Sequence, residues 1–267
     1  MPAGRPRRPA TRKAETTRGG RQQRITRVRE SIPPSRVLAG TSGFSYPAWR
    51  GRFYPEDLPA REMLAFYAGE LGTVEINNTF YRLPTSALLA GWAEQTPAGF
   101  RFALKAPQRI THQLRLRDAG EVTRQFCTVA AELGDKLGPL LFQLPPYLRF
   151  DLPRLAEFLA TLPPGVDAAV EFRDPAWFTD QTWALLEEHR TALCIADAET
   201  LATPPIATAS FGYLRLRRED YGPADVDLWA TRIRETTRWK RVYIYFKHED
   251  GARGTALARA LLERLAT

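Results

Sequence analysis

From residue 36 onward, short apolar or alternating runs are separated by longer stretches in which apolar positions return every three or four residues. The runs are RVLAGTSG (36–43), TVEINNTFY (73–81), FRFALKAP (100–107), GPLLFQLP (138–145), DAAVEFR (167–173), TALCIAD (191–197), FGYLRLR (211–217) and RVYIYFKH (241–248). Their length and period read as strands. The stretches 59–70, 85–95, 121–133, 151–161, 179–189, 224–238 and 253–266 read as helices, with room for only a short piece around 198–206. Pro84-Thr85-Ser86, and Asp151 with Pro153, supply the residues that open a helix. Strict alternation of strand and helix predicts a parallel sheet covered by helices. Eight repeats in the 231 residues after residue 36 fit a closed (β/α)8 barrel of TIM type in count and size. No GxGxxG or Walker sequence follows any strand, which removes the main support for an open nucleotide-binding sheet. The fold class is therefore α/β, with one barrel domain over 35–267.

Alternation within each strand separates two faces, one toward the helices and one toward the lumen. Val74 and Ile76 oppose Glu75 and Asn77; Phe102 and Leu104 oppose Lys105; Leu140, Phe142 and Leu144 oppose Gln143. Val170 and Phe172 oppose Glu171 and Arg173; Leu214 and Leu216 oppose Arg215 and Arg217; Val242, Ile244 and Phe246 oppose Tyr243, Tyr245 and Lys247. The apolar set must meet the helix layer, so the polar set is expected to line the axis toward the C-terminal mouth, where barrels of this type place their sites.

The net charge of +8 first suggests a polyanion partner. Residues 1–36, however, hold 11 of the 38 Lys and Arg against only Glu15 and Glu30, which leaves 27 basic and 28 acidic residues in the body. The excess belongs to an N-terminal arm, expected to be disordered over residues 1–34 because it has almost no large apolar residue before Ile25. That arm could reach nucleic acid non-specifically. Cys127 and Cys194 lack CxxC spacing and no secretory leader is read, so a reducing, cytoplasmic setting is expected. No apolar run is long enough for a membrane span.

The segments GTSGFSYPAWRGRFYP (40–55), VEINNTFYRLP (74–84), FALKAPQRITH (102–112), LGDKLGPLLFQLPP (133–146), VEFRDPAWF (170–178) and ALCIAD (192–197) together resemble the YecE-like family, also known as domain of unknown function 72. The resemblance spans nearly the whole body and implies a TIM-type barrel, in agreement with the strand count; it brings no substrate, cofactor or reaction. Where many members have Arg-Leu-His-Gly, this chain has Arg215-Leu216-Arg217-Arg218, and where many have Tyr-Phe-Asn-Asn it has Tyr245-Phe246-Lys247-His248. The mouth is more cationic here than in the commoner form.

Within the expected lumen, Lys105, Arg173, Arg215, Arg217 and Lys247 face Glu75, Glu171 and Asp197, two cations in excess. Unmatched charge in a confined space calls for an anion or solvent. Phosphate or carboxylate suits Arg forks and Lys charges. The expected reading is an enzyme acting without metal or cofactor on a phosphorylated or nucleic-acid-derived anion. Lys105, Glu171 and Asp197 are the catalytic candidates, the carboxylates moving protons and Lys105 holding developing negative charge. Glu75, Asn77, Tyr81, Gln143, Arg173, Arg215, Arg217, Tyr245 and Lys247 are the ligand-binding candidates. The alternatives are a non-catalytic anion or nucleic-acid binder, an ion-pair network that only fills the lumen with a Lys105–Glu171 bridge, and a metal-dependent phosphoesterase or nuclease. A zinc site would have to join His112 or His248 to Glu75, Glu171 or Asp197, because no HxH or HExxH pair exists. The aromatic loop Phe44, Tyr46, Trp49, Phe53 and Tyr54, with Phe80, Tyr81, Trp177 and Phe178, could stack on a base or sugar or glue the loop to the barrel.

Overall fold

The computed structural model describes residues 36–247 and 250–266, so the arm expected over 1–34 and His248 lie outside the described residues. Strands β1 (Val37–Ser42), β2 (Thr73–Ile76), β3 (Arg101–Lys105), β4 (Leu137–Gln143), β5 (Ala168–Glu171) and β6 (Ala192–Ala198) run parallel, each beside the last. A two-residue strand β7 (Leu201–Ala202) turns back antiparallel on β6. Strands β8 (Phe211–Leu216) and β9 (Arg241–Phe246) complete the circuit, since β8 pairs with β6 and β9 pairs with β1. Eight parallel strands thus close into the expected barrel.

Seven α-helices cover it among the described residues: α1 (Met63–Glu70), α2 (Ser86–Glu94), α3 (Gly120–Ala130), α4 (Leu152–Leu159), α5 (Asp180–Glu188), α6 (Pro223–Glu235) and α7 (Arg253–Ala266). Local chemistry sets several starts. Thr85 accepts a hydrogen bond from Leu88 N to open α2, and Asp151 does the same for Arg154 N at α4. No helix follows β6; the stretch 198–206 forms β7 and an extended turn containing Pro204 and Pro205, residues that suit neither a helix interior nor its hydrogen bonds. No helix among the described residues is long and apolar enough to cross a membrane.

Two cores result from the alternation. Outward residues such as Val74, Phe102, Leu140, Phe142, Val170, Ile195 and Leu214 join the helices in one large cluster. A second cluster fills the lumen: Ala103, Leu141, Ala169, Ala192 and Cys194 leave space that Phe211, Tyr213, Tyr243 and Tyr245 occupy. The tyrosines keep their hydroxyls partnered, Tyr245 with Thr73 Oγ1 at 2.9 Å and Tyr213 with Glu75 Oε2 at 2.8 Å. This floor closes the barrel below its C-terminal mouth.

The aromatic loop after β1 packs inward. Trp49, Phe53 and Tyr54 are buried, with Phe53 edge-on to Phe66 and to Tyr67 of α1. Tyr46 and Tyr54 donate to the Ser42 and Phe44 carbonyls at 2.6 and 2.5 Å. The loop reverses through Gly43, whose φ of 96° other residues rarely adopt.

Candidate functional site

The mouth is organised around Arg215, a β8 side chain only 1% exposed. One guanidinium nitrogen donates to Glu75 Oε1 of β2 at 2.8 Å, and the other donates to Glu171 Oε2 of β5. Each carboxylate is further supplied with donors. Glu75 accepts from Ser42 Oγ (2.8 Å), Asn77 Nδ2 (3.2 Å) and Tyr213 OH (2.8 Å). Glu171 Oε1 accepts from Gln143 Nε2 at 2.8 Å and Arg173 Nε at 3.2 Å, and it pairs with Arg217 Nη1 at 3.6 Å. Burial by itself raises a carboxyl pKa, and here the cations and donors outweigh it. Glu75 is held below the usual glutamate value by Arg215, and Glu171 is held down to about 2 by Arg215, Arg217 and Arg173.

Lys105, the last residue of β3, makes no bridge to Glu171; Gln143 stands between them. Lys105 Nζ donates to Gln143 Oε1 at 2.8 Å while Gln143 Nε2 donates to Glu171. The ammonium lies 4.0 Å from the centre of the Phe80 ring. Burial, then the charge of Arg215, lowers the Lys105 pKa to about 8, against the pull of the two carboxylates. His112 sits beside this group in a π-helical turn, Arg109–Gln113. Its ring meets Phe80 edge-on at 4.9 Å, its Nδ1 bonds Thr111 Oγ1 at 2.8 Å, and burial with the charges of Lys105 and Arg173 lowers its pKa.

A cavity of about 260 Å³ opens next to the network, lined by Glu171, Arg173, Ala196, Thr200, Leu201 and Arg217 among others. Two cations therefore border it. Arg173 is partly exposed, and Arg217 is mostly buried, with a buried Nε that has no hydrogen-bond partner.

The structure gathers Glu75, Asn77, Lys105, Gln143, Glu171, Arg173, Arg215 and Arg217 at the mouth, and three of the expected site residues elsewhere. Asp197 is the clearest correction. It shares its parity on β6 with Leu193 and Ile195, so it faces the helix layer, where its Oδ2 accepts from Tyr221 OH (2.6 Å), Arg218 Nε (3.2 Å) and Trp229 Nε1 (3.4 Å). Tyr81 is 74% exposed beyond the end of β2, and its neighbour Phe80 is the ring that reaches Lys105. Lys247 is exposed past the end of β9. Tyr245 does face the lumen, but it belongs to the buried floor with Thr73. Removing Asp197 and Lys247 from the lumen leaves four cations against two carboxylates, still two in excess. Among the described residues, no three His, Cys, Asp or Glu side chains gather as a metal would require.

Ser42, Tyr213 and Cys194 were not expected at the site. Tyr213 lies two residues before Arg215 on one strand face, so the same parity count would have found it. Ser42 ends β1, whose residues show no polar alternation to mark it. Cys194 Sγ lies 4.0 Å from Glu171 Oε2, and burial holds its thiol pKa well above the ordinary value, so it is a neutral wall of the lumen.

The family model described as protein of unknown function DUF72 matches residues 38–267. The YecE protein of Escherichia coli K12 is 37% identical over 113 residues, which cover 42% of this chain and 42% of YecE. The chain thus spans less than half of that relative's length in the alignment. The crystal structure of a DUF72 family protein from Thermotoga maritima is similar with a TM-score of 0.74 and 27% identity, covering 85% of this chain and 99% of that one. The crystal structure of SacUVDE shares the fold at a TM-score of 0.50 and 11% identity, covering 86% and 98%.

Proposed function

The chain belongs to the DUF72 family, and from that premise we propose that it is an enzyme acting on a small anionic compound, phosphorylated or derived from nucleic acid, at the C-terminal mouth of its barrel. One observation carries the reading: three arginines converge on two carboxylates with Lys105 beside them, and two of the arginines, Arg173 and Arg217, border a cavity. The Nε atoms of Arg215 and Arg217 both lack a partner, but both terminal nitrogens of Arg215 are engaged by Glu75 and Glu171 and only Arg217 borders the cavity. A phosphate or carboxylate group between Arg173 and Arg217 would complete the charge balance and give that N–H an acceptor.

The roles divide by protonation. Glu171 is ionised, buried and fully supplied with donors, so in this reading it positions Arg173, Arg215 and Arg217 and takes no proton near neutral pH. Lys105 is the group that can act, because its charged form is disfavoured where it stands. Positive charge for a developing anion comes from the guanidinium pair.

The test is thermal unfolding in inorganic phosphate against chloride at matched ionic strength. A specific site filled to a hundred times its Kd stabilises the fold by about 2.7 kcal/mol, which for a chain of this size is a rise of several degrees in Tm, roughly 2–4 °C per kcal/mol. Arg173→Gln with Arg217→Gln should remove the phosphate-specific part. An equal response to phosphate and chloride in the unaltered protein would refute the anion site.

A further inference from the structure

Lys105 stands out among the lumen cations because neither carboxylate is bound to it. Glu75 and Glu171 are both engaged by Arg215, and the donors of Ser42, Asn77, Tyr213, Gln143, Arg173 and Arg217 take their remaining oxygens. The partners of Lys105 are neutral: the Gln143 carbonyl oxygen at 2.8 Å and the face of Phe80 at 4.0 Å. Its charged neighbours Arg215 and Arg217 are repulsive and fixed in place by the carboxylates. A guanidinium would keep its proton in such a place, whereas an amine can lose it. The chain writes 33 of its 38 cations as arginine, and the exceptions are Lys13, Lys105, Lys136, Lys240 and Lys247.

We propose that Lys105 is a nucleophile which condenses with the carbonyl group of a small anionic aldehyde or ketone, whose phosphate or carboxylate is held by Arg173 and Arg217. The proposal rests on the anion-binding reading of the mouth and names the substrate class within it. A desolvated amine flanked by fixed cations is the arrangement that makes a lysine nucleophilic at neutral pH. Gln143 orients it, since its amide oxygen accepts from Nζ while its NH₂ is tied to Glu171, which in turn holds Arg173 and Arg217. Amine and anion site are therefore joined by one short run of hydrogen bonds and ion pairs across β3, β4, β5 and β8. In the reaction, the Nζ lone pair adds to the carbonyl carbon and the C–O π pair moves to oxygen. A proton passes from nitrogen to that oxygen, a second proton from solvent releases it as water, and a protonated imine remains on Lys105. Its positive charge draws electrons from the neighbouring carbon of the substrate.

Reductive trapping of the full chain at pH 7.5 tests this. The probes are glycolaldehyde phosphate and unphosphorylated glycolaldehyde, each with sodium cyanoborohydride, whose hydride converts the imine to a stable secondary amine. Peptide mass mapping then locates the adduct, with exposed Lys240 and Lys247 as internal standards. With the phosphorylated aldehyde, Lys105 should label at least about tenfold faster than either standard, because an amine of lowered pKa is more often unprotonated at that pH. Inorganic phosphate should slow that adduct and leave glycolaldehyde labelling unchanged, and Arg217→Gln should slow labelling by the phosphorylated aldehyde by a larger factor than labelling by glycolaldehyde, because it removes an anion contact as well as a cation beside Lys105. Lys105→Arg should abolish the fast adduct while the protein, still folded, keeps its phosphate-induced rise in Tm. Labelling at Lys105 no faster than at Lys240 and Lys247, with that rise intact, would overturn the nucleophile role and leave the anion site standing. Fast labelling by both aldehydes, indifferent to phosphate and changed by the same factor in Arg217→Gln, would overturn the anionic substrate class.

Discussion

Replacing Arg215 by methionine tests the arrangement at its centre. The substitution keeps an unbranched, flexible side chain in the lumen and removes a charge that is 1% exposed and joined to both Glu75 and Glu171. Removing one member of a buried pair costs about 3–5 kcal/mol, because the other charge is left uncompensated. Here the lower end applies: Glu171 keeps Gln143, Arg173 and Arg217, and Glu75 keeps Ser42, Asn77 and Tyr213. The Glu171 pKa is depressed in the fold by Arg215, Arg217 and Arg173 together. Since that pKa is depressed on folding, its contribution in the unaltered protein is complete above pH 4.5 and is lost as pH falls toward 2. The variant should behave in the opposite sense. Glu75 loses its only ion-pair partner among the described residues, so burial, already its largest influence, raises its pKa in the fold. The folded state then binds more protons than the unfolded state, and stability increases as pH falls from 8 toward 5. Urea unfolding followed by circular dichroism at pH 8 and pH 5 measures this. The expected loss is about 3 kcal/mol at pH 8 and smaller at pH 5; a variant that is unfolded at pH 8 should regain structure at pH 5. A loss below about 1 kcal/mol, or one equal at the two pH values, would refute the reasoning.

Asp197→Ala should cost about 1–3 kcal/mol, because Tyr221, Trp229 and Arg218 lose a shared acceptor, while the response to phosphate stays intact; melting with and without phosphate checks both parts. Gly40→Ala should destabilise by about 3 kcal/mol or prevent folding, since a Cβ there would lie 1.9 Å from the Thr73 carbonyl oxygen and 2.8 Å from the Tyr67 hydroxyl. Gly51→Ala, with open space but a φ of 72°, should cost only about 1 kcal/mol in the same urea assay.

Parity carried much of this architecture. On β2, β3, β4, β5, β8 and β9 a strand with one apolar face permits a single orientation, because a slip of one residue would expose the whole apolar set. That is why Glu75, Lys105, Gln143, Glu171, Arg215 and Arg217 could be placed in the lumen from the letters alone. Asp197 has the chemistry of a site residue but the position of a helix-facing one. Leu193 and Ile195 share its face, and a strict count puts all three toward α6. Tyr81 and Lys247 lie past the ends of β2 and β9, where the chain leaves the pleat and alternation no longer dictates direction. The Gln143 relay between Lys105 and Glu171 was illegible for another reason. It depends on the stagger of β3, β4 and β5, which includes a register shift between Phe102 and Leu104, and no single strand encodes that. The missing helix after β6 was half visible, in a segment too short and too rich in proline to form one.

The bonds of Arg215 join residues 44 and 140 positions away along the chain. The strands β2, β5 and β8 must all be in place before that guanidinium can touch both acids, so the complete pair of bonds is unavailable to an intermediate that lacks any of them. Contacts that form after the rate-limiting step leave the folding speed alone and retard escape from the native state. The cross-brace under the mouth therefore acts as a clasp on lifetime: its loss is expected to raise the unfolding rate extrapolated to zero denaturant, shortening the interval for which a finished barrel stays closed.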